Sequence, residues 1–228
     1  MTDNIYSRTI QLIGEDAIIK LKKTTVLIVG IGGVGGTCFE TLVRSGVGTI
    51  IIIDKDCVDV TNLNRQLLFT EKDIGKSKVN VARKRAFDIN PDVNVISLNM
   101  NLDDSSITKL SDYKIDYIVD AIDSIYSKVS LIKYSKEKNI PIIVSLGMAK
   151  RLDPSQLVIT SLNKSTGDPL AKKLRYVLKH NDIEFSDVKC VLSKEEPLDS
   201  SRTPASMMMV PSAAGLLLAS FIVKQICY

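Results

Sequence analysis

The sequence predicts an α/β fold: a doubly wound, mostly parallel, Rossmann-like sheet with a C-terminal α+β extension. Short apolar runs alternate with helix-length segments, as sheet strands buried on both faces alternate with their crossovers. The first run, Thr25-Val-Leu-Ile-Val-Gly30, passes into a glycine-rich turn and then a helical pattern. The second run, Thr49 to Ile53, is followed by Asp54, an acidic residue where a nucleotide ribose is held in such folds.

Apolar Ile10, Ile13, Ala17 and Leu21 recur at helical spacing, so the first twenty residues predict one short helix. Further strands are predicted at 93–98, 117–120 and 141–145, with helices near 75–90, 104–111 and 124–138. Beyond them, Gln156 to Leu162 alternates like a strand and Pro169 to His180 reads as a basic helix. Lys189 to Leu192 suits another strand, 193–206 an exposed loop, and Ser212 to Ile226 an apolar helix. One domain is expected, with a nucleotide-binding core over 1–146 and an extension over 147–228 that makes substrate and dimer contacts.

Composition narrows the function. Four scattered cysteines with no C-x-x-C pair give neither a disulfide framework nor a zinc site, and they suit a reducing cytoplasm. The first residues lack the basic start and apolar core of a signal peptide. The apolar stretch from Met207 to Val223 is interrupted by Pro211 and falls short of a membrane span, which leaves a packed helix as the reading and membrane association as the alternative. A net charge of +4 permits a polyanionic partner. Scarce aromatics and no Trp argue against a broad base-stacking platform for single strands.

The glycine turn is G-x-G-x-x-G in its proper context, after a strand and before a helix. Gly30 allows the turn, Gly32 and Gly33 let phosphate approach the backbone, and Gly35 permits close helix–strand contact. The helix N-terminus then faces the phosphates. Up to Asp54, an NAD-dependent dehydrogenase fits equally well. The segment after it, with Asp56, Asn62, Arg65, Gln66 and Lys78, favours a triphosphate, because Arg65 offers a planar fork and Lys78 a point charge for phosphate oxygens. Asp123, beyond the fourth strand, is a candidate ligand for Mg2+ held against those phosphates.

These residues, together with Tyr6-Ser-Arg8 and Asp120, resemble the ubiquitin-activating-enzyme-like adenylyltransferases, which include enzymes that adenylate sulfur-carrier proteins. The resemblance implies that Asp54, Arg65 and Lys78 bind ATP, that Asp123 works with Mg2+, and that Arg8 reaches the triphosphate of the neighbouring subunit in a homodimer. The zinc-binding cysteine pairs usual in sulfur-carrier activators are absent. The Asp168–Arg175, Ser193–Pro197 and Val210–Leu216 segments are similar instead to the branch that dehydrates threonylcarbamoyl-modified adenosine in tRNA. The implied activity is carboxylate adenylation followed by cyclisation, with tRNA as substrate; activation of a Gly-Gly carrier protein is the alternative. Cys190 reads as a structural, half-buried cysteine with a sulfur-relay role as the alternative, and His180 as a helix C-terminal residue. The basic run Lys172, Lys173, Arg175 and Lys179 reads equally as a solvated face or a tRNA contact.

Overall fold

The computed structural model describes residues 4–199 and 205–228, so positions 200–204 of the expected 193–206 loop lie outside the described residues. Seven strands form one sheet: β1 (Thr25–Val29), β2 (Thr49–Ile53), β3 (Asn94–Leu98), β4 (Tyr117–Asp120), β5 (Ile142–Ser145), β6 (Leu157–Ser161) and β7 (Lys189–Ser193). Their order is β3-β2-β1-β4-β5-β7-β6, and every pairing is parallel except β6 with β7. Both strands of the C-terminal extension therefore continue the core sheet.

Burial explains why the strand runs are apolar at every position. Along β1 and β2, Val26, Ile28, Ile50 and Ile52 enter one core, and Leu27, Val29, Ile51 and Ile53 the other. The first core is closed by α2 (Glu15–Lys23), α3 (Gly33–Ser45), α4 (Lys78–Ile89) and α7 (Met209–Cys227). The second is closed by α5 (Ile125–Glu137) and α6 (Pro169–His180).

Several boundaries differ from the sequence reading. The N-terminal helix is two helices, α1 (Ser7–Ile13) and α2, because Gly14 at φ 86° breaks the ladder between them. The 104–111 helix is a 3-10 segment at Ile107–Asp112, since Asp103 captures the Ser105 and Ser106 N–H groups and holds the chain in a turn. The 75–90 helix starts at Lys78, after the turn through Gly75 at φ 83°.

The apolar C-terminal segment is a single helix, long and apolar enough by composition to cross a membrane. One face of it is used inside the protein: Val210, Ala214, Leu218, Ala219 and Ile222 are buried against the first core. A Cβ at Gly215 would lie 2.4 Å from the Val34 carbonyl oxygen, so α7 crosses α3 at backbone distance. At the same crossing Thr37 Oγ1 lies 3.3 Å from Ser212 Oγ.

At the far end of α3, Glu40 is buried and bound by Arg44 at 2.7 Å and by Arg85 of α4. Burial raises its carboxyl pKa, but the hydrogen bonds and charges of Arg85 and Arg44 outweigh that and hold it below the usual glutamate range. A lowered folded pKa contributes stability above the ordinary value near 4.3, lost as pH falls through the lowered one. Glu40→Gln is expected to cost about 1–3 kcal/mol at pH 7. In urea titrations the gap between the two proteins should close as pH is lowered below about 4.

Candidate functional site

The strand order reverses between β1 and β4, which places a crevice at their carboxyl ends, the usual ligand position in such sheets. A cavity of about 390 Å3 lies there. Gly30, Gly32, Gly33, Asp54, Asp56, Asn62, Arg65, Gln66, Lys78 and Asp123 all line it. Two predicted residues do not. Gly35 packs below it, where a Cβ would meet the Gly30 carbonyl oxygen at 1.8 Å, and Arg8 is exposed on α1 away from this chain's own cavity. Tyr6 fixes the start of that helix: its buried hydroxyl accepts from Asn90 Nδ2 at 2.7 Å, and its ring lies against Gly46.

The loop after β1 is shaped by its neighbours. Gly30 has φ 89°, and a Cβ there would stand 2.6 Å from the Ala121 carbonyl oxygen, so only glycine fits. At Gly32 a Cβ would meet nothing nearer than Gln66 Nε2 at 3.8 Å, which leaves the backbone open on the cavity side. Helix α3 starts here with no side-chain cap, so its unpaired N–H groups and positive dipole end suit a phosphate. The Asp54 carboxylate holds the loop from the other side, taking the Ile31 N–H at 2.7 Å and the Asp56 N–H at 2.9 Å. Each of its oxygens keeps a lone pair for a ribose hydroxyl.

A 3-10 turn at Val60–Asn62 presents the next group. Asp59 accepts from the Thr61 N–H at 2.8 Å while Asn62 Oδ1 accepts the Asp59 N–H at 3.2 Å. The Thr61 hydrogen bonds, followed by the Lys78 charge, keep the Asp59 carboxyl below its ordinary pKa. Arg65 and Gln66 follow on that turn. The Arg65 guanidinium donates to the Thr61 carbonyl at 2.6 Å and to Asn64 Oδ1 at 2.9 Å. Gln66 is buried with its Oε1 unpartnered, a polar atom that a ligand or water donor at the cavity would satisfy. Lys78 is 6% exposed, and its Nζ lies 3.4 Å from Asp56 Oδ2. The short bridge between Cys57 and Ser77 brings those two segments together.

Asp123 is exposed at the rim, ahead of Ser124, which caps α5. Beneath it lies an ion pair of which the sequence reading named only Asp120. Lys128 and Asp120 are both fully buried, 2.9 Å apart, and Lys128 Nζ also donates to the Ser145 carbonyl at 2.8 Å. Asp120 Oδ1 takes the Ile122 N–H at 3.0 Å, so the pair ties the ends of β4 and β5 to the loop that carries Asp123. Burial pushes the Asp120 carboxyl up, with the Lys128 charge pulling it back, and its Oδ2 has no partner. The available signal was phase: Lys128 falls in the apolar stripe of Ile125, Leu131 and Ile132. Lys55, Met100, Asn101, Leu102 and Ser127 also line the cavity without having been singled out.

Within the C-terminal segments that carry the resemblance, Asp168 and Glu195 hold local architecture. Asp168 caps α6 through the Ala171 N–H at 2.8 Å and holds the Gly147 N–H at 3.1 Å. Arg151, 3% exposed, lies 3.6 Å from Asp168 and donates to the Glu195 carbonyl at 2.9 Å, while the Glu195 carboxylate takes the N–H groups of Leu152 and Asp153. Cys190 is fully rather than half buried on β7, and its thiol is pushed up to about 12, first by burial and then by Asp168. Such a thiol stays protonated near pH 7 and is a poor nucleophile. His180 closes α6 with Nδ1 2.8 Å from the Tyr176 carbonyl oxygen.

Among the described residues, no group of three or more His, Cys, Asp or Glu is placed to hold a metal. Mg2+ needs no such cage, since one or two carboxylates suffice when phosphates supply other ligands. Asp123 on the cavity lining would be the carboxylate for it, with Asp56 beside Lys78 the other acidic side chain near the loop.

Comparison with known proteins gives the family and the fold. The ThiF family model matches residues 6–218. A tRNA threonylcarbamoyladenosine dehydratase of Bacillus subtilis is 36% identical, covering 97% of this chain and 94% of that protein. The crystal structure of the Escherichia coli tRNA N6-threonylcarbamoyladenosine dehydratase in complex with ATP superposes with a TM-score of 0.92 at 32% identity, covering 97% of this chain and 93% of that one. The same Escherichia coli protein in complex with AMP gives 0.92 at 33% identity, covering 96% and 92%.

Removing one partner of the buried pair leaves an uncompensated charge. Lys128→Met is therefore expected to lose about 3–5 kcal/mol of stability, measured by chemical denaturation. Adding Asp120→Leu should recover much of that loss; a double variant as unstable as the single one would count against the pair as the cause.

Proposed function

The chain belongs to the ThiF family, and from that premise we propose that it is an ATP-dependent tRNA threonylcarbamoyladenosine dehydratase. The observation that carries this reading is one cavity joining an open glycine loop, Asp54, Arg65, Lys78 and Asp123 at the switch point of the sheet. The relatives named above supply the substrate class, and their ATP and AMP complexes match the expected reactant and product of adenylation.

The chemistry follows from the residues. A free carboxylate is a poor electrophile because oxide does not leave. The substrate's carboxylate attacks the α-phosphorus of ATP and expels pyrophosphate, giving an acyl adenylate. The glycine loop and the α3 N-terminus hold the phosphate chain, and Asp54 holds the ribose. Arg65 and Lys78 stabilise the charge that develops on the departing pyrophosphate. Mg2+, when bound at Asp123, supplies further neutralisation of the phosphates. The carbamoyl group of the same substrate then attacks the activated carbonyl, closing a ring and releasing AMP. An intramolecular nucleophile needs no protein thiol, consistent with the buried state of Cys190.

The working unit is a homodimer in which Arg8 of one subunit reaches the triphosphate in the other. That assignment is supported by the resemblance, by the placement of Arg8 outside its own cavity, and by the Tyr6 anchor that fixes its helix. Residues 147–228 contribute the substrate and dimer contacts. A tRNA substrate and the scattered, unpaired cysteines support a reducing cytoplasm as the place of this work.

ATP–pyrophosphate exchange tests the substrate. It should appear with tRNA bearing linear threonylcarbamoyladenosine and not with a carrier protein ending in Gly-Gly; exchange with the carrier alone would overturn the assignment. Arg65→Ala and Lys78→Ala should each lower turnover by roughly 100- to 1,000-fold with the fold intact. Mixing an Arg8→Ala protein with a Lys78→Ala protein tests the dimer. Random exchange between the two should restore roughly a quarter of wild-type activity, because half the dimers are mixed and each has one complete site. No recovery on mixing would place Arg8 outside the partner's site.

A further inference from the structure

Resting on that reading of the substrate, we propose that the outer face of α6 is the surface on which the tRNA lies. The helix carries Lys172, Lys173, Arg175, Lys179 and His180 and no Asp or Glu. Ala171, Leu174 and Leu178 are buried in the second core, which turns Lys172, Lys173, Tyr176 and Lys179 outward, all exposed. Arg175 does not belong to this face. Its guanidinium folds inward to the Ser165 carbonyl at 2.7 Å and the Leu162 carbonyl at 3.3 Å. The carboxylate at the head of the helix, Asp168, is buried and occupied by the Ala171 and Gly147 N–H groups, so it leaves the lysines' charge outward.

The second feature is aromatic. Tyr176 is 62% exposed, and its ring centroid lies 3.9 Å from that of His180, with 33° between the planes. The contact of His180 Nδ1 with the Tyr176 carbonyl holds the pair in place. Exposed rings ordered among lysines combine a stacking surface for a base with point charges for phosphates, the two elements of RNA recognition. An acidic protein surface would use the lysines but gives no reason for the ordered rings.

Position supports the same partner. The Asp168–Gly147 bond sets the start of α6 just beyond the end of β5, at the carboxyl edge of the sheet. That strand neighbours β4, whose following loop lines the nucleotide cavity. A twelve-residue helix extends about 18 Å, so the stripe runs from that edge of the sheet over the length of a short RNA stem.

The test is equilibrium binding of threonylcarbamoyladenosine-bearing tRNA across a salt series. Lys172→Ala/Lys173→Ala/Lys179→Ala should weaken binding on the order of 10- to 100-fold near 0.1 M salt and make the slope of log K against log salt shallower by about 2–3. ATP affinity should be unchanged, which also reports an intact fold. The triple Lys→Arg variant should keep the wild-type slope. Tyr176→Ala should lose roughly 5- to 100-fold in affinity with little change in slope, and Tyr176→Phe should lose little. A wild-type protein that neither binds nor turns over this tRNA sinks the functional reading and the surface with it. A wild type active on tRNA, with a triple alanine variant equal to it in affinity and slope, sinks the surface alone.

Discussion

The site depends on one steric constraint, the passage of Gly30 across the end of β4. Its α-carbon lies so near the Ala121 carbonyl that any side chain would occupy the same space. That approach lets the first loop bend over the switch point and start α3 immediately, with unpaired N–H groups facing the crevice. The neighbouring groups hold the position rather than create it. Asp54 ties the loop to the end of β2 through the Ile31 N–H, and the Gly30 N–H binds the Ile53 carbonyl at 2.8 Å. Gly35 lies directly on Gly30, so the helix packs against the loop at backbone distance.

The C-terminal helix extends this constraint across the molecule. Helix α7 meets α3 at Gly215, and Pro211 stands where a Cβ on Gly33 would meet it at 3.2 Å. The nucleotide loop is therefore backed by the last helix of the chain. The 205–208 segment that leads into α7 is bound near the cavity mouth through Asn64 Nδ2 and the Ser206 carbonyl, 2.9 Å apart. Apolarity in α7 serves this backing, which is why a helix that satisfies the length and composition of a membrane span is packed along one face in the core.

The sheet and the cavity lining were legible in sequence because each rests on a local signal. Two-sided burial writes itself as unbroken runs such as Ile50–Ile53, and the phosphate loop needs glycines at fixed offsets from a strand. Asn62, Arg65 and Gln66 were legible because they lie within five residues, the last two bonded through their N–H groups to the Asn62 carbonyl that ends a short turn. What the sequence concealed arises from contacts distant along the chain. The Lys128 link to Ser145 and the Arg151–Asp168–Glu195 knot join segments whose meeting no local pattern announces. Arg175 was misread for the same reason: its charge belongs to the basic run, but its partners, Ser165 and Leu162, take it inside. The break at Gly14 was missed because apolar spacing continues through it, while φ 86° is invisible in a periodicity.

Charge accounting across the cavity bears on what else the reaction needs. Among the described residues that line it, Lys55, Arg65 and Lys78 face Asp54, Asp56 and Asp123, three cations against three carboxylates. ATP brings several negative charges, and pyrophosphate leaves carrying most of them. The α3 terminus offers roughly half an elementary charge, too little to offset that load. An exposed carboxylate at Asp123 would repel the phosphates unless a cation stood between them. The divalent metal at that carboxylate and the arginine from a second subunit proposed above would reverse the balance. Neither requires rebuilding the site: Asp123 stands at the rim, and Arg8 is presented on a helix anchored by Tyr6, away from its own cavity. A neutral cavity in a single chain is thus the charge state that the proposed association, of a metal and of a second subunit, would complete.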